Sequence, residues 1–281
     1  MAILSFQSQV VAGHVGNSVA VFALQRLGHE VFALPTVLLS HHPGHGGAEG
    51  GEIPADLMAR LLAGLETRGC LPRCDAVVSG YFGVGDVAET VRAALARIRA
   101  TRLGCTYLCD PVLGDDGRTY VSHEVVAAVK GLARIADIIT PNAYELSLLS
   151  GQGSANRAEA LGAMRIVQGL GPSIVLLTSF YGADTPEKAI DVMVVDRDLA
   201  WRLTIPKLHC KFSGAGDLFA SLFLHFWLPE HNTAFALGAA CSALREVLLE
   251  TIAQGADELS LIMAQNRMVS PSVQFTAEAF V

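Results

Sequence analysis

The stretch from Lys211 to Trp227, KFSGAGDLFASLFLHFW, joins two closely spaced glycines and one carboxylate to an almost entirely apolar run. Glycines let the backbone turn tightly and approach a ligand, and the first turn of a helix leaves N–H groups unpaired beside a partial positive charge. The pattern predicts a buried core helix over residues 216–228 with an anion site at its start, where Asp217 could accept a proton from an attacking hydroxyl. The residues predicted to form the anion site are Gly214, Ala215 and Gly216.

The same stretch also has a purely structural explanation. Aspartate is common in the first turn of a helix, and SGAG could be an ordinary turn. It is not a Walker A loop, because no Lys-Ser or Lys-Thr pair follows the glycines. Taken alone, the stretch leaves both interpretations open.

Short apolar runs alternate with longer helical patterns on both sides of this stretch. The predicted strands are residues 2–8, 30–40, 75–81, 106–112, 136–142, 172–179, 189–198 and 200–208. The main predicted helices are 16–28, 54–69, 85–101, 216–228, 233–254 and 257–267. This alternation predicts an α/β fold, a three-layer α/β/α sandwich with a mostly parallel central sheet, in one domain over residues 1–281. Residues 41–51 are predicted to form a loop, and the C-terminal tail has no clear signal.

Polar side chains stand at or just after the ends of several predicted strands. They are Ser8, Tyr81, Asp110, Asn142, Glu145, Thr178 and Ser179. Ligands of such sheets bind at the carboxyl ends of the strands, so these side chains are candidates for one site. Each also has a structural explanation: Asp110 could end a strand before Pro111, and Asn142 and Glu145 could cap a helix.

Composition narrows the classes of partner. The chain has 281 residues, 51% of them hydrophobic and 17% charged, with a net charge of −7. The acidic balance argues against nucleic acid as a partner, although it does not exclude small anionic ligands. No run of 18 or more apolar residues exists, so no membrane span is expected.

The six cysteines suggest a reducing compartment rather than a metal site. The start of the chain lacks a basic region of the kind that opens a secretory signal, so reduced thiols in the cytoplasm are expected. The close pairs Cys70/Cys74 and Cys105/Cys109 have the spacing C-x₃-C, which is unusual for zinc. Cys105 and Cys109 are expected to share one face of a strand as small core residues.

Five motifs, taken together and in order, resemble the ribokinase-like superfamily and, more narrowly, the pyridoxal kinases. They are SQVVAGHVGNSVAVFALQRLG, DAVVSGYFG, CDPVLGDDG, ADIITPNAYELSLLSG and SGAGDLFAS. The resemblance runs from about Ser5 to about residue 250. It implies a ribokinase-like fold, a homodimer, and ATP-dependent phosphorylation of the 5′-hydroxymethyl group of pyridoxal or its relatives, with Mg²⁺ as cofactor.

The resemblance also implies roles for single residues. Asp217 matches the general base, and the amides around Gly214, Ala215 and Gly216 match the groups that hold the transferred phosphoryl charge. The positions that match the nucleotide and magnesium side are Asp110, Asp115, Thr140, Glu145, Thr178 and Ser179, with Asp110 and Glu145 nearest the metal. Ser8 and Tyr81 match positions that line the vitamer pocket. A monovalent cation is left open.

The sequence departs from the family in the stretch SHHPGHG, residues 40–46. Many pyridoxal kinases carry Ser-Asn-His-Thr and then an aromatic residue there, whereas this chain has Pro43 in place of the threonine and His45 near the place of the aromatic. A polar contact to the pyridine ring is therefore in doubt at Pro43 and His45. Three histidines within five residues, His41, His42 and His45, could also bind Zn²⁺ or Ni²⁺ adventitiously.

Three functions remain open from the sequence. The first is a pyridoxal kinase, and the second is a related kinase for hydroxymethylpyrimidine or another ring alcohol. The third is a non-catalytic protein that holds pyridoxal phosphate for delivery. Asp110, Glu145 and Asp217 argue against the third, because a pure binder needs no general base.

Overall fold

The computed structural model describes residues 1–208 and 210–280. Within them the chain forms one large sheet between two layers of helices, together with a small separate hairpin. The strands are β1 (Ala2–Val10), β2 (Glu30–Leu39), β3 (Gly50–Glu52), β4 (Cys74–Ser79), β5 (Thr106–Cys109), β6 (Gly114–Asp115), β7 (Arg118–Thr119), β8 (Ile138–Ile139), β9 (Ile174–Phe180), β10 (Ala189–Asp196), β11 (Leu199–Pro206) and β12 (Glu278–Ala279). The α-helices are α1 (Asn17–Arg26), α2 (Ala55–Thr67), α3 (Val87–Thr101), α4 (His123–Ala133), α5 (Ala143–Ser150), α6 (Arg157–Gln168), α7 (Ala215–Trp227), α8 (Thr233–Gln254) and α9 (Leu261–Val269).

The central sheet has ten strands in the order β12-β11-β10-β9-β8-β5-β4-β1-β2-β3. The six strands from β9 to β2 in this order run parallel, and antiparallel strands complete both edges. From β1 the chain goes first to β2 on one side and later to β4 on the other, so the strand order reverses at β1. In a parallel α/β sheet such a reversal opens a crevice at the carboxyl ends of the strands, which is where ligands bind.

Successive side chains of a strand point to opposite faces of the sheet. Here both faces are buried under helices. In β1, Leu4 and Phe6 pack into one core with helices α2 to α6, whereas Ile3 packs into the other core with α1 and α7 to α9. In β5, Tyr107 and Leu108 divide in the same way. The predicted mostly parallel sheet, covered on both sides, is therefore confirmed.

The structure corrects three local predictions. Ser8 does not end the first strand, because β1 continues to Val10 and its pairing with β2 changes register between Gln7 and Gln9. The last helix begins at Leu261 rather than at residue 257, since the Ser260 N–H donates to Thr251 Oγ1 and holds residues 257–260 in a turn. The predicted loop 41–51 contains a short 3₁₀ turn, Pro43–His45, and the start of β3.

The cysteines and the helices fit the interpretation made from the sequence. Cys105 and Cys109 are both buried in the core on one face of the sheet. No helix among the described residues is both long and apolar enough to cross a membrane.

Candidate active site

The start of α7 is shaped by Gly214, which caps the helix. Gly214 has a φ of 84°, and a Cβ added there would overlap the backbone oxygen of His14. A side chain is therefore excluded both by the backbone conformation and by space. The chain from His14 can approach α7 closely only because residue 214 is glycine.

That close approach brings the N–H of Gly16 to the carboxylate of Asp217. The Gly16 amide donates to Asp217 Oδ2 at 2.8 Å, across 201 residues of sequence. Gly16 has a φ of 53°, and a Cβ on it would overlap the carbonyl of Ser8. Burial raises the pKa of the Asp217 carboxyl, while the Gly16 hydrogen bond acts in the opposite direction. Asp217 is thus fixed in orientation and more basic than an ordinary aspartate.

A buried network behind Gly16 holds the segment in place. Ser5 Oγ donates to Asn17 Oδ1 at 2.7 Å, and Asn17 Nδ2 donates to the carbonyl oxygen of Gln7 at 3.0 Å. Both side chains are fully buried. The network ties the first residue of α1 to β1, so Gly16 is held between the strand and the helix that it precedes.

Asp110 lies directly after β5 and is almost fully buried. Its backbone N–H donates to the Ser79 oxygen, and its Oδ1 accepts a hydrogen bond from Thr140 Oγ1 at 2.8 Å. Burial raises the pKa of Asp110 well above the ordinary range, and the negative charges of Glu145 and Asp217 raise it further, against the hydrogen bond from Thr140. The negative charges of Glu145 and Asp217 therefore act on the Asp110 carboxyl.

Glu145 forms a capping box with Asn142 at the start of α5. Glu145 Oε2 accepts from the Asn142 N–H at 2.9 Å, and its Oε1 accepts from the Leu113 N–H at 2.9 Å. Burial raises the pKa of Glu145 to about 7 against these backbone hydrogen bonds. Both carboxylate oxygens are thus already engaged, and the structural role proposed for Glu145 from the sequence is present.

The hairpin β6–β7 projects beside this site and turns through Asp116 and Gly117. Both turn residues have positive φ, 49° and 77°, which is the conformation of a two-residue hairpin loop. Lys211 reaches the hairpin, with its Nζ 2.6 Å from Asp115 Oδ2 and 2.7 Å from Asp116 Oδ2. The stretch that carries the predicted anion site is therefore joined by ion pairs to the hairpin that contains Asp115.

A cavity of about 730 Å³ opens between the hairpin, the end of β9, strands β10–β11 and helices α7–α8. The predicted residues that line it are Asp115, Asn142, Thr178, Ser179, Ala215 and Gly216. Its other lining includes the apolar side chains Ile190, Val192, Phe219 and Leu248 and the cations Lys207, Lys211 and Arg245. The cavity therefore combines an apolar wall with polar and charged groups near the start of α7.

A second cavity, of about 780 Å³, lies at the amino ends of the parallel strands β5, β8 and β9. Arg99, Asp137 and Trp227 are among its lining residues, and none of the predicted site residues is. Arg99 and Asp137 are already paired at 2.7 Å. Chemistry at this second cavity has no support from the residues around it.

The residues predicted for the substrate lie on the other side of Asp217 and do not line the 730 Å³ cavity. Ser8 is buried beside Gly16. Tyr81 is half-buried just after β4, its carbonyl oxygen accepts from Thr36 Oγ1 at 2.7 Å, and burial raises its pKa. Pro43 and His45 are exposed in the 3₁₀ turn.

The histidine loop, defined here as residues 41–47, contacts the stretch 211–227 at Ser213. The sequence did not single out Ser213 for this role. His42 Nδ1 lies 3.4 Å from Ser213 Oγ, next to Gly214. His45 Nε2 lies 3.3 Å from Glu258 Oε1. In the described parts of the chain, no three His, Cys, Asp or Glu side chains converge closely enough to hold a metal ion by themselves, so the adventitious metal site has no support.

Comparison with known proteins identifies the family. The sequence model of the phosphomethylpyrimidine kinase family matches residues 72–260. The pyridoxal kinase PdxY of Corynebacterium diphtheriae is 38% identical over 280 residues, covering 99% of both chains, and that of Rubrobacter xylanophilus is 40% identical over 97% of this chain and 95% of its own. The chain belongs to the pyridoxal kinase family. The pyridoxal kinase of Leishmania donovani, solved with ADP and pyridoxamine, superposes with a TM-score of 0.94 at 31% identity, covering 100% of this chain and 99% of the other.

The family resemblance drawn from the five motifs and the ribokinase-like fold expected from them are therefore confirmed. The structure gives three residues of this pyridoxal kinase contacts at the site that the sequence did not predict. Lys211 was visible within the quoted stretch, but its partners Asp115 and Asp116 are 95 and more residues away. Glu258 gave no signal of its own, and His42 was noted only as a possible ligand of an adventitious metal ion, because their contacts depend on how the loops fold.

Proposed function

We propose that this chain transfers the γ-phosphoryl group of ATP to the 5′-hydroxyl of pyridoxal, giving pyridoxal 5′-phosphate, and that it also accepts pyridoxine and pyridoxamine. The observation that carries the proposal is Asp217, held by the Gly16 N–H at 2.8 Å beside the start of α7 and next to the 730 Å³ cavity. The substrate assignment is supported by the pyridoxal kinases of C. diphtheriae and R. xylanophilus and by the L. donovani kinase that was solved with ADP and pyridoxamine.

Asp217 acts as the general base. Its carboxylate takes the proton of the 5′-hydroxyl, the hydroxyl oxygen forms a bond to the γ-phosphorus, and the bond to the bridging oxygen breaks to release ADP. The raised pKa of Asp217 suits a group that must accept a proton near neutral pH. The amides of Gly214, Ala215 and Gly216 donate to the oxygens of the phosphoryl group in transfer.

The carboxylates near Asp217 fit a magnesium–nucleotide complex. Asp110 is buried, accepts a single side-chain hydrogen bond, and has its pKa raised by burial and by two other carboxylates, so a cation beside it would relieve the repulsion. When bound with ATP, Mg²⁺ supplies charge neutralisation at the phosphates and takes few protein ligands. Asp110 would hold the ion directly, and Glu145, whose two oxygens bond backbone amides, would act through water.

The nucleotide occupies the 730 Å³ cavity in this proposal. Thr178 and Ser179 line it at the end of β9, and Thr140 orients Asp110 through its hydroxyl. Asp115 belongs to the hairpin that closes over the nucleotide and is joined to Lys211. The apolar wall between β10–β11 and α7–α8 would pack against the base.

The vitamer binds on the opposite side of Asp217. Ser8 lies within β1, and Tyr81 lies just after the neighbouring parallel strand β4. The strand order reverses at β1. The histidine loop closes this side, with His45 near the ring and with Pro43 unable to donate a hydrogen bond. This arrangement predicts that the loop sets affinity for the vitamer rather than the rate of transfer.

A second candidate is a kinase for hydroxymethylpyrimidine, favoured by the departure at Pro43 and His45 and by the matched family model. ADP release from MgATP is the test, measured with pyridoxal, pyridoxine, pyridoxamine and hydroxymethylpyrimidine as acceptors. Fastest turnover per KM with pyridoxal supports the proposal. A clear preference for the pyrimidine supports the second candidate, and no ADP release with any acceptor supports the non-catalytic holder of pyridoxal phosphate.

The remaining expectations concern the setting of the reaction. One kinase domain spans residues 1–281 in this proposal, and it works in the cytoplasm, where ATP is available and the free cysteines stay reduced. The homodimer implied by the family resemblance would cover exposed apolar side chains such as Val11, which is 81% exposed near the edge of the sheet. Light scattering coupled to gel filtration tests the dimer.

A further inference from the structure

The turn at residues 257–260 is anchored to the end of α8 and packs against Gly214. The Ser260 N–H donates to Thr251 Oγ1 at 2.9 Å, and the Leu261 N–H donates to the oxygen of Leu259 at 2.8 Å. The side chain of Leu259 is buried and approaches Gly214. Glu258 lies between Asp257 and these anchored residues. Its side chain therefore extends from a fixed backbone position.

The carboxylate of Glu258 packs directly on Gly13. A Cβ added to Gly13 would overlap both carboxylate oxygens and displace them, and the φ of 107° at Gly13 is strained for any residue with a side chain. Gly13 opens the segment that ends at Gly16, whose N–H holds Asp217. Glu258 is thus in contact with the backbone that leads to the general base.

The same carboxylate meets the histidine loop. Glu258 Oε1 is 3.3 Å from His45 Nε2, and the two side chains are 28% and 34% exposed. The neighbouring Asp257 is 3.9 Å from His45 Nδ1 and is 87% exposed, so its attraction is weaker and more screened. The loop therefore rests on two points, Glu258 through His45 and Ser213 through His42.

Glu258 is the acid around which three histidines gather. Burial lowers the pKa of His14, and the Glu258 charge opposes it. Burial and the charge of His45 lower the pKa of His42, again against Glu258. The groups that face His45 are His41 and His42 from its own loop and Asp257 and Glu258 from the turn.

We propose that Glu258 is a positioning residue that fastens the histidine loop through His45 to the fixed turn, beside the Gly13–Gly16 segment, and thereby sets the affinity for the vitamer. The inference rests on the proposed function, since it assumes that the vitamer binds under this loop. A charge-assisted contact is stronger than a neutral one.

The test compares Glu258→Gln with Asp257→Asn, two variants that each remove one acid from the same turn. Glutamine keeps the packing on Gly13 and loses the charge, so we expect the pyridoxal KM to rise about fivefold at pH 6.5, as for one partly exposed charged hydrogen bond, with kcat and the ATP KM little changed. Asp257→Asn should leave all three constants near wild type.

A double variant separates the loop attachment from a general structural effect. If Glu258 acts through His45, then His45→Ala and His45→Ala/Glu258→Gln have the same pyridoxal KM. A further rise in the double variant, or an unchanged pyridoxal KM in Glu258→Gln, overturns the proposal.

Hydrogen exchange without substrate keeps this inference separate from the proposed function. Glu258→Gln should speed amide exchange in residues 41–47 relative to wild type and to Asp257→Asn, and calorimetry should show the matching loss of pyridoxal affinity. If the wild type phosphorylates no vitamer but both effects appear, the proposed function fails and the role of Glu258 stands. If the wild type is an active kinase and exchange in the loop is unchanged, the role of Glu258 fails alone.

Discussion

Replacing Gly16 with alanine tests the hydrogen bond that orients Asp217, the proposed general base. Gly16 has a φ of 53°, its N–H donates to Asp217 Oδ2 at 2.8 Å, and a Cβ there would overlap the Ser8 carbonyl. The methyl group must therefore push the segment away from β1. The shift moves the amide away from Asp217 and removes the hydrogen bond from the Gly16 N–H to the carboxylate.

The size of the effect follows from these two contributions. A hydrogen bond to a charged group is worth about 1.5–3 kcal/mol, which corresponds to a loss of about 10-fold to 100-fold in kcat if it acts in the transition state. Alanine in the left-handed region adds a stability cost of about 1–2 kcal/mol. Because the Gly16 N–H lowers the pKa of Asp217 against burial, its loss raises that pKa further, and the acid limb of the kcat profile moves to higher pH.

Gly28→Ala is the matched control for Gly16→Ala. Gly28 also has a positive φ, 87°, but a Cβ there meets nothing within 4 Å, so the backbone strain is similar and Asp217 is untouched. Thermal unfolding and ADP release from pH 5.5 to 8.5 are measured for both variants. We expect both to lose stability and only Gly16→Ala to lose kcat. Equal kcat in the two variants would refute the role assigned to the Gly16 amide.

Four further variants test separate parts of the site. Asp110→Ala and Glu145→Ala should both raise the Mg²⁺ concentration needed for half-maximal rate, with the larger change at Asp110; wild-type magnesium and ATP dependence in both would reduce them to structural residues. Lys211→Met removes both ion pairs to the hairpin and should raise the ATP KM severalfold without changing the pyridoxal KM, and equal rises in both constants would contradict a role at the nucleotide side. Pro43→Thr restores a hydroxyl worth on the order of 0.5–1.5 kcal/mol and should lower the pyridoxal KM severalfold; an unchanged KM would show that the side chain of residue 43 does not reach the ring.

The sheet and its covering helices could be predicted because each signal is local. Continuous apolar strands such as Ile174–Phe180 indicate burial on both faces, and the apolar run after Asp217 indicates a core helix. The cap of α5 was also predictable, since Asn142 and Glu145 stand three residues apart, as a capping box requires. Strands as short as β3 and β12 carry too few residues for any periodicity to appear.

The parts of the site that could not be predicted are contacts between distant segments. The pairing of Lys211 with the hairpin and of Gly16 with Asp217 requires the fold, because the partners are 95 and 201 residues apart. Glu258 fell inside a predicted helix over 257–267, whereas α9 begins only at Leu261, after the Ser260–Thr251 hydrogen bond. Glu258 lies in the turn before α9, 3.3 Å from His45. Motif matching predicted which residues form the candidate site, and only tertiary packing shows how they are held.

The central claim is that Asp217 accepts the proton of the 5′-hydroxyl of pyridoxal. Asp217→Asn keeps the size of the side chain and can no longer accept that proton, so its kcat for pyridoxal 5′-phosphate formation is the most direct measurement. A general base contributes about 10²–10⁴-fold, and we expect kcat to fall within that range while the fold, ATP binding and the pyridoxal KM stay near wild type. Pyridoxal 5′-phosphate formation within twofold of the wild-type kcat, under conditions where chemistry limits the rate, would contradict the claim.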